Sequence, residues 1–428
     1  MRDWFRFLNR RQFLGKTAVV SAVAHLLPGA RPASGLRAAA GFPQNHIYAK
    51  LGVRPVINGL ATATRVGGSL MPPEVVAAME EAGKYFVSLP ELHEKAGRRL
   101  AQLIGVEAAL VTTGAAGSMT LGTAACVTGA DPQKISRLPD TSGMKNEIIM
   151  QKSHRSGYEQ QMLLVGTKII EIETREQLES AITPRTAMLF FLNIGDPNGQ
   201  IKRAEWVAIG KKHAIPTFND AAADLPPKSR LSEYVKMGFD LVGFSGGKGL
   251  HGPQCSGLLL GRKDLVDAAR INASPWGGTI GRGMKVGKEE IMGLLAAVER
   301  YLKIDHEAER RELEGRIREI TQVLSSIKGL KTEIYVPEIA NHVPHLAIEW
   351  NRTQLKMTSQ DVSEQLLKGE PSIELAGRNW GRHKPKNAEP ENPELQGLTV
   401  CVWTLRPGEP KIVARRLHEI LAPKPGRT

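Results

Sequence analysis

Short apolar runs alternate with segments of helical spacing between about residue 53 and residue 268. Strands are predicted where the apolar runs are four to six residues long, at residues 108–113, 147–150, 168–172, 187–192, 215–218 and 241–244. Helices are predicted over residues 72–86, which open with two prolines and a glutamate, and over residues 92–104, which end at Gly105. This alternation is typical of an α/β domain with a parallel sheet.

The rest of the chain divides by pattern and composition. A long helix over about residues 288–324 is predicted to lead into a smaller α/β domain, and residues 130–146, rich in Asp, Pro, Ser and Gly, are predicted to be a surface excursion. The predicted organisation is a signal at residues 1–40, an N-terminal arm at 41–70, a large domain at 71–300, and a bridging helix with a small C-terminal domain at 301–428.

Residues 1–40 have the three parts of an export signal. A basic stretch with Arg10 and Arg11 precedes an apolar run at residues 17–28, and a small-residue stretch ends in three alanines. The arginine pair resembles a twin-arginine signal, which exports folded proteins, so we expect cleavage after Ala40 and a periplasmic location. The alternative is an amphipathic or membrane-anchoring helix, which the break at Pro28 disfavours. The apolar run is too short to span a bilayer, and no other stretch is apolar enough.

Charge gives little support for a nucleic-acid partner. The 428 residues include 57 Lys and Arg against 44 Asp and Glu, a net charge of +13. Seven of these bases and one of the acids lie in residues 1–40, so the mature chain would carry +7. No block of basic residues with interleaved aromatic residues follows, so no nucleic-acid surface is expected. The 3 cysteines exclude a disulfide framework, and no Cys/His cluster has zinc spacing.

Two predicted strands end in polar residues. Asp220 follows the run at 215–218, and Lys248 follows the run at 241–244 within a Ser-Gly-Gly-Lys sequence. Their separation fits one strand-helix-strand unit, so both are expected at the carboxyl edge of one parallel sheet, where α/β proteins bind ligands. A lysine between glycines at such an edge suits a flat ligand, and its desolvation would lower the amine pKa enough for Schiff-base chemistry.

A small-residue helix that follows the strand at 108–113 supplies a third feature. It begins at Gly114, Ala115 and Ala116, and a helix N-terminus binds phosphate. Pyridoxal 5'-phosphate (PLP) needs such a site, a lysine for its aldehyde and a carboxylate for its ring nitrogen.

Lys248, Asp220 and the residues from Gly114 onward supply all three supports, and Ser245 could add a hydroxyl for the phosphate. Each has an ordinary alternative, since the loop matches no nucleotide-binding fingerprint, Asp220 could cap a helix, and Lys248 could pair with an acid. Their combination and chain order predict a PLP site.

Several segments resemble the selenocysteine synthase group of fold-type I PLP enzymes, and within it the branch that contains D-glucosaminate-6-phosphate ammonia-lyase. These segments are RPVING at 54–59, GGSLMPPE at 67–74, TGAA at 113–116, QKSHRSGY at 151–158, FNDAAADLPP at 218–227, FSGGKGLHGPQ at 244–254 and GRGMKVGKEE at 281–290. The resemblance covers about residue 51 to the C-terminus. It implies an aspartate aminotransferase-like large domain that binds PLP, with a smaller C-terminal α/β domain.

The resemblance also implies roles for single residues. Lys248 would bond the cofactor aldehyde, Asp220 would pair with the ring nitrogen, and His154 would stack on the ring face. The alternative for His154 is a histidine outside the site. Because fold-type I sites usually lie between subunits, a homodimer or a higher homo-oligomer is expected.

Basic residues near two segments are candidates for substrate binding. Arg282, Lys285 and Lys288 are spaced by three, and on one helical face they could bind a carboxylate or phosphate, or they could be a solvated helix start. Arg406 is a candidate for the substrate α-carboxylate, and its alternative is an ion pair with Glu409.

The resemblance implies a PLP-dependent lyase that acts on an amino acid. Lys248 would move the α-proton, and departure of a β-substituent would lead to a 2-keto acid and ammonia. A hydroxylated or otherwise β-substituted amino acid is expected, including D- and sugar amino acids. The alternatives are a racemase, an aldolase or a transferase on the same scaffold, and a non-catalytic periplasmic binding protein. Selenium transfer to seryl-tRNA is disfavoured because an exported protein meets no charged tRNA.

Overall fold

The computed structural model describes residues 46–382 and 392–422. The predicted export signal and its cleavage position lie outside the described residues. Within these ranges, no helix is both long and apolar enough to cross a membrane.

A seven-stranded sheet forms the centre of the larger part of the fold. Its strand order is β2-β8-β7-β6-β5-β3-β4, and all strands run parallel except β8, which is antiparallel to both neighbours. The strands are β2 (Ala108–Thr112), β3 (Glu147–Gln151), β4 (Lys168–Ile172), β5 (Thr186–Leu192), β6 (Thr217–Asp220), β7 (Leu241–Ser245) and β8 (Gly257–Gly261). The six predicted strands are confirmed. Strand β8 was not predicted, although its five residues are buried in the same way as those of β3 and β5.

Helices cover both faces of this sheet, as expected for an α/β domain. They are α1 (Pro73–Gly83), α2 (Leu89–Ile104), α3 (Gly114–Thr128), α4 (Pro132–Arg137), α5 (Gln160–Leu163), α6 (Arg175–Ala181), α7 (Arg203–Lys212), α8 (Arg230–Met237) and α9 (Lys263–Asn272). Apolar side chains of α2, α7 and α8 pack with those of the strands in one buried cluster, and α3 and α9 contribute to a second.

Residues 130–146 lie largely at the surface, as predicted from composition, and they include a short helix. Helix α4 begins there because the Asp131 carboxylate accepts a hydrogen bond from the Gln133 amide at 2.9 Å and Pro132 occupies the first turn. Leu138 and Met144 are buried in a cluster with Ala124 and Val127 of α3, and Ile135 is buried as well. The polar residues of this segment therefore cap and connect buried structure.

The prediction of one long helix at residues 288–324 is wrong, because the structure has two helices there. They are α10 (Lys288–Tyr301) and α11 (His306–Leu324). The carboxylate of Asp305 accepts hydrogen bonds from the amides of Glu307 (3.0 Å) and Ala308 (2.9 Å), so it caps a new helix instead of continuing the old one.

A second sheet contains five strands in the order β1-β11-β12-β10-β9. Its strands are β1 (Val56–Gly59), β9 (Leu330–Tyr335), β10 (His345–Asn351), β11 (Ser372–Gly377) and β12 (Leu395–Val400), accompanied by α12 (Arg352–Leu355), α13 (Ser359–Lys368) and α14 (Glu409–Leu421). Strand β1 comes from the predicted N-terminal arm and pairs in parallel with β11. The arm is thus an edge of the C-terminal sheet, and the residues that follow β1 are placed by that pairing.

Candidate cofactor site

The register of the central sheet brings the ends of β2, β6 and β7 to one edge. Ser245 and Thr112 pair with Gly257 from opposite sides, and Asp220 pairs with Gly243 in the next strand. Neighbouring strands lie about 4.8 Å apart, so the start of α3, the end of β7 and Asp220 occupy one short row. The edge predicted from the spacing of Asp220 and Lys248 is present.

Lys248 lies in a turn that follows β7 and is fixed by its neighbours. The Gly247 carbonyl accepts hydrogen bonds from the backbone amide and hydroxyl of Ser69, both at 3.0 Å. A Cβ on Gly249 would lie 2.5 Å from the Leu225 carbonyl oxygen, so only glycine permits this approach. Burial lowers the pKa of the Lys248 amine, and the attraction of Asp220 partly opposes this. The amine is therefore held in place and more easily deprotonated than a surface lysine.

Asp220 has a buried carboxylate that forms no ion pair within residues 46–382 and 392–422. Asp220 is only 5% exposed, and its Oδ1 accepts a hydrogen bond from the Ala222 amide at 3.1 Å. Among the described residues no hydrogen bond reaches Oδ2. Burial raises the pKa of Asp220 to about 6, although the Lys248 charge lowers it. A protonated pyridine nitrogen would provide the partner that this carboxylate lacks, so the residue fits PLP.

The N-terminus of α3 is open for a phosphate. No side chain caps its first turn, and Gly114 has a φ of 70°. Thr112 supports the loop by donating its hydroxyl hydrogen to the Gly114 carbonyl at 2.9 Å. A Cβ on Gly257 would lie 2.2 Å from the Gly114 carbonyl carbon, so glycine at this position of β8 is needed for the loop to pack against the sheet. The free amides of Gly114, Ala115 and Ala116 suit the cofactor phosphate.

A cavity of about 470 Å³ lies beside Asp220 and Lys248. The two sheets both contribute to its wall, since residues 62–65 follow β1 and Trp380 follows β11. Its lining residues are Thr62, Ala63, Thr64, Arg65, Ser156, Tyr158, Leu192, Ile194, Asp220, Ala222, Ala223, Asp224, Lys248, Ala340, Asn341 and Trp380. The cavity is large enough for a small amino acid, and its wall includes Lys248 together with several polar side chains.

His154 does not line this cavity. Its imidazole is fully buried, Nδ1 accepts a hydrogen bond from the Leu192 amide at 3.2 Å, and its ring meets Phe191 edge-on at 4.6 Å between centroids. Burial lowers the pKa of His154 to about 4, so the ring is neutral. These contacts match the alternative of a histidine outside the site, and stacking on the cofactor ring stays a prediction.

The three predicted substrate-binding cations do not share a helical face. Arg282 lies in a turn, Lys285 lies outside any helix or strand, and Lys288 is the first residue of α10, where it pairs with Glu289. Gly287, which precedes α10 with extended dihedrals, separates these conformations. The expectation of one basic face is therefore wrong, and none of the three lines the cavity.

Arg406 forms the ion pair that was its alternative. Its guanidinium lies 2.7 Å from Glu409 Oε1, and its backbone amide donates a hydrogen bond to Glu409 Oε2, also at 2.7 Å. Glu409 is the first residue of α14. The pair thus fastens the start of that helix, and Arg406 is absent from the cavity wall; its role in substrate binding stays a prediction.

Arg65 and Asp224 line the cavity but were missed by sequence reasoning. Arg65 lies in a single 3-10 turn, and its guanidinium lies 2.6 Å from the Glu374 carboxylate of β11. No local pattern marks Arg65, because its position depends on the pairing of two strands more than 300 residues apart. Asp224 does lie within the motif at 218–227, which could have drawn attention to it.

The sequence model of the SelA family, described as L-seryl-tRNA selenium transferase, matches residues 56–354. The chain belongs to the SelA family. The matched span contains the cavity residues Arg65, Asp220, Asp224 and Lys248, so the family match includes this site.

Relatives within the SelA family with assigned functions extend over most of the chain. A 5'-C-glycyluridine monooxygenase-decarboxylase of a Streptomyces species is 34% identical over 87% of this chain and 92% of its own length. The D-glucosaminate-6-phosphate ammonia lyase of Salmonella typhimurium is 30% identical over 88% of this chain and 98% of its own length. An L-seryl-tRNA(Sec) selenium transferase of Moorella thermoacetica is 25% identical over 68% of this chain and 67% of its own length.

Solved structures confirm the fold-type I prediction for this SelA-family chain. The structure of D-glucosaminate-6-phosphate ammonia-lyase aligns with a TM-score of 0.74 at 29% identity, covering 89% of this chain and 99% of that chain. Sphingomonas wittichii serine palmitoyltransferase, at 13% identity, and a NifS-like protein, at 17%, share the fold with TM-scores of 0.53. The chain is a PLP-dependent enzyme, as predicted, and PLP-dependent ammonia-lyase activity is supported by these relatives.

Proposed function

We propose that this enzyme removes ammonia from a β-hydroxylated or otherwise β-substituted amino acid and releases a 2-keto acid. The observation that carries the proposal is the convergence of Lys248 and Asp220 on one cavity, at the sheet edge where α3 begins. The ammonia lyase relative, which the chain matches over 98% of its length, supports the same reaction class.

Each side chain has a distinct task in this proposal. Bound PLP supplies a ring that draws electrons from the substrate α-carbon. Lys248 would hold the cofactor aldehyde in the resting enzyme and, once freed by substrate, would take the α-proton, since its pKa is lowered. Asp220 would pair with the ring nitrogen. The N-terminus of α3 and Ser245, whose backbone amide donates to the Ala222 carbonyl at 3.2 Å, would hold the phosphate.

Arg65 is suited to the substrate carboxylate. A guanidinium binds a carboxylate through paired hydrogen bonds, and Glu374 holds Arg65 in one orientation at the cavity wall. Among the described lining residues, Arg65 and Lys248 are the two cations. With Lys248 committed to the cofactor and proton transfer, one cation is left for an anionic substrate group. We therefore propose an unphosphorylated amino acid rather than a sugar phosphate.

A second candidate reaction is oxidative decarboxylation. The observation that favours it is the 34% identity with the Streptomyces relative, whose name describes a monooxygenase-decarboxylase. The two reactions differ in their balance, because decarboxylation by a monooxygenase consumes oxygen and releases carbon dioxide, whereas elimination releases ammonia without oxygen.

Purified enzyme loaded with PLP should be incubated with D- and L-amino acids and sugar amino acids. Release of keto acid and ammonia without oxygen uptake is the expected result, with a racemisation assay run alongside. Oxygen uptake with carbon dioxide release would instead favour the second candidate. Lys248→Ala should lose both turnover and the visible absorbance of the bound cofactor. A wild-type protein that takes up no PLP would refute the site, and one that binds PLP and amino acids without turnover would support the binding-protein alternative.

We further propose that the enzyme works as a homodimer or a higher homo-oligomer. Tyr85, Phe86 and Val87 are consecutive and exposed, and Phe86 has its entire side chain open to solvent. Leu70 and Val76, near or within α1, are exposed as well. A continuous stretch of exposed apolar residues is typical of an association surface, and a second copy of this chain is the proposed occupant.

Export by the twin-arginine route is proposed from the sequence of residues 1–40. Replacement of Arg10 and Arg11 by lysine should leave the enzyme in the cytoplasmic fraction, with the signal uncleaved, whereas the unaltered chain should appear in the periplasmic fraction. Equal distribution of the two proteins would contradict the proposal.

A further inference from the structure

A second buried carboxylate faces the cavity four residues after Asp220. Asp224 is 2% exposed and lines the cavity together with Lys248. Its Oδ2 accepts hydrogen bonds from the hydroxyl of Tyr234 at 2.9 Å and from the side-chain amide of Asn193. Within residues 46–382 and 392–422, no hydrogen bond reaches Oδ1. One oxygen is therefore anchored in the protein, and the other remains for a ligand.

The anchoring fixes the direction of this carboxyl group. Asn193 also donates a hydrogen bond to the Tyr234 hydroxyl oxygen at 2.8 Å, so the two donors support each other. The Tyr234 ring stacks on Phe244 of β7 with 6.5 Å between centroids. Arg230 donates a hydrogen bond to the Asp224 carbonyl at 3.1 Å. An oxygen without a partner in the interior is costly, and a ligand in the cavity could supply the partner that this oxygen lacks.

We infer that Asp224 is the acid that protonates the departing β-hydroxyl group of the substrate. The inference rests on the proposed elimination and specifies a hydroxylated amino acid as the substrate class. Lys248 lies in the same cavity and takes the α-proton, whereas Asp224 acts at the β-carbon. Two groups on one cavity can thus divide the two proton transfers.

The step balances in atoms and charge. The Cα–H bond breaks, its proton moves to Nζ of Lys248, and its electron pair forms the Cα=Cβ bond. The Cβ–O bond breaks with its electron pair on oxygen, and that oxygen receives the proton of Asp224 to leave as water. The Asp224 carboxylate then regains a proton from the Lys248 ammonium. A later addition of water releases ammonia, so one amino acid yields one 2-keto acid and one ammonia.

The surroundings of Asp224 favour its protonated form. Burial raises the pKa of Asp224 above its ordinary value and outweighs the opposing effects of its neighbours. The titratable and charged groups that face it are Tyr234 and Arg230 of α8, Arg203 of α7, Asp220 of β6 and Lys248 after β7. A carboxyl group that keeps its proton closer to neutral pH can serve as an acid there.

The first test separates α-proton transfer from β-elimination. Wild type and Asp224→Asn, both loaded with PLP, are incubated in D2O with D- and L-serine and with the hydroxylated amino acid that gives the fastest keto-acid release. NMR then measures deuterium at the α-carbon of recovered substrate, and keto acid is measured in parallel. We expect elimination to fall roughly 10²- to 10⁴-fold in Asp224→Asn while α-exchange changes only a few-fold. Equal loss of both, or loss of neither, overturns the inference.

β-Chloroalanine, in both configurations, provides a control substrate because chloride leaves without a proton. Asp224→Asn should retain its elimination within a few-fold. Failure of the wild type to eliminate from serine, from the hydroxylated amino acids and from β-chloroalanine would refute the proposed function itself. That result is distinct from a defect seen only in the variant. Equal loss on chloride and hydroxyl substrates would show that Asp224 only supports the site.

Two further readouts complement these assays. The first does not depend on turnover, and the second would not change if Asp224 had a purely structural role. An infrared difference spectrum of wild type minus Asp224→Asn, without substrate, should show the C=O stretch of a protonated carboxylic acid at neutral pH. Its absence overturns the inference. Tyr234→Phe removes a donor that favours the ionised form, so elimination should persist to higher pH than in wild type. An unshifted profile contradicts the assigned contact. Glu147→Gln is the matched control, since Glu147 is buried and paired with Lys168 at 3.2 Å but neither lines the cavity nor acts on Asp224.

Discussion

Arg65 and Glu374 form an ion pair, with 2.6 Å between guanidinium nitrogen and carboxylate oxygen, that links the turn after β1 to strand β11. The pair is placed at the cavity wall because β1 and β11 run side by side. Glu374 is the less exposed partner, with a side chain 17% exposed against 53% for Arg65. The carboxylate therefore acts as a fixed support, and part of the guanidinium stays open to substrate.

Removal of this guanidinium should weaken substrate binding more than it slows turnover. Arg65→Ala is expected to raise KM roughly 10- to 100-fold, since a charged hydrogen bond contributes about 1.5–3 kcal/mol. Steady-state kinetics measure the change, and Arg65→Lys should recover part of it. Arg98→Ala, which breaks an exposed pair with Glu94 on α2, is the control and should leave KM unchanged. An unchanged KM in Arg65→Ala would remove Arg65 from the substrate site.

Asp220 should make the cofactor-free protein less stable as pH rises. Because the native state raises the pKa of Asp220 from 3.8 to about 6, it binds the proton more tightly than the unfolded chain does. The free energy of unfolding therefore decreases between pH 4 and pH 6 and is level above that range, as far as this group is concerned. Asp220→Asn should be more stable than wild type by roughly 1–3 kcal/mol at pH 8 and about equal to it at pH 4.

Thermal unfolding of the two apoproteins across this pH range measures the effect. The same variant should bind PLP weakly and lose most activity, since the ring nitrogen would lack its anionic partner. A variant less stable than wild type at pH 8 would mean that Asp220 is ionised and well paired before the cofactor binds.

Gly257 should be essential for phosphate binding although it contacts no ligand. A Cβ at this position would lie 2.2 Å from the Gly114 carbonyl carbon and displace the start of α3. Gly257→Ala is expected to weaken PLP binding at least roughly 10-fold and to cost about 1–3 kcal/mol of stability. Gly315→Ala is the matched control, because its Cβ would meet nothing nearer than 3.7 Å within α11. This substitution should increase the free energy of unfolding by about 0.5–1 kcal/mol. Cofactor titration by visible absorbance compares the two; equal affinities would disprove the steric argument.

Phe86 should control assembly. Phe86→Asp places a charge in the exposed apolar stretch and should shift the protein to smaller species in sedimentation velocity. Val323→Asp, at an exposed apolar position of α11, should not. If both variants sediment like wild type, residues 85–87 do not form the subunit contact.

The sequence predicts the central sheet, and the common edge of its candidate cofactor residues, because that information is local. Each parallel strand is a short apolar run, and Asp220, Ser245 and Lys248 stand directly at strand ends, so their common edge follows from topology. Strand β8 is a short run of three leucines between glycines, and this run was not predicted as a strand although its burial resembles that of β5. The break in the helix at 288–324 depends on the capping of Asp305, which competes with an otherwise continuous helical pattern.

The cavity wall is less predictable because it depends on contacts distant in sequence. The position of Arg65 at the cavity depends on the pairing of β1 with β11. The orientation of Asp224 depends on the hydrogen bond that the Tyr234 hydroxyl of α8 donates to it. For Arg406, the sequence left open a choice between substrate binding and an ion pair with Glu409, and the structure shows that ion pair. For His154, the sequence left open a place outside the site, and the fold buries the imidazole against Phe191.

The parallel pairing of β1 with β11 has a consequence for the order of biosynthesis. Residues 56–59 leave the ribosome early, but their partner at residues 372–377 is among the last segments to emerge, and the bridge from Leu60 reaches Cys401. A nascent chain can therefore build the central sheet while the wall that carries Arg65 is still unplaced. Truncated products that lack β11 would keep Lys248 and Asp220 yet have no complete cavity, so only a finished polypeptide can select its substrate.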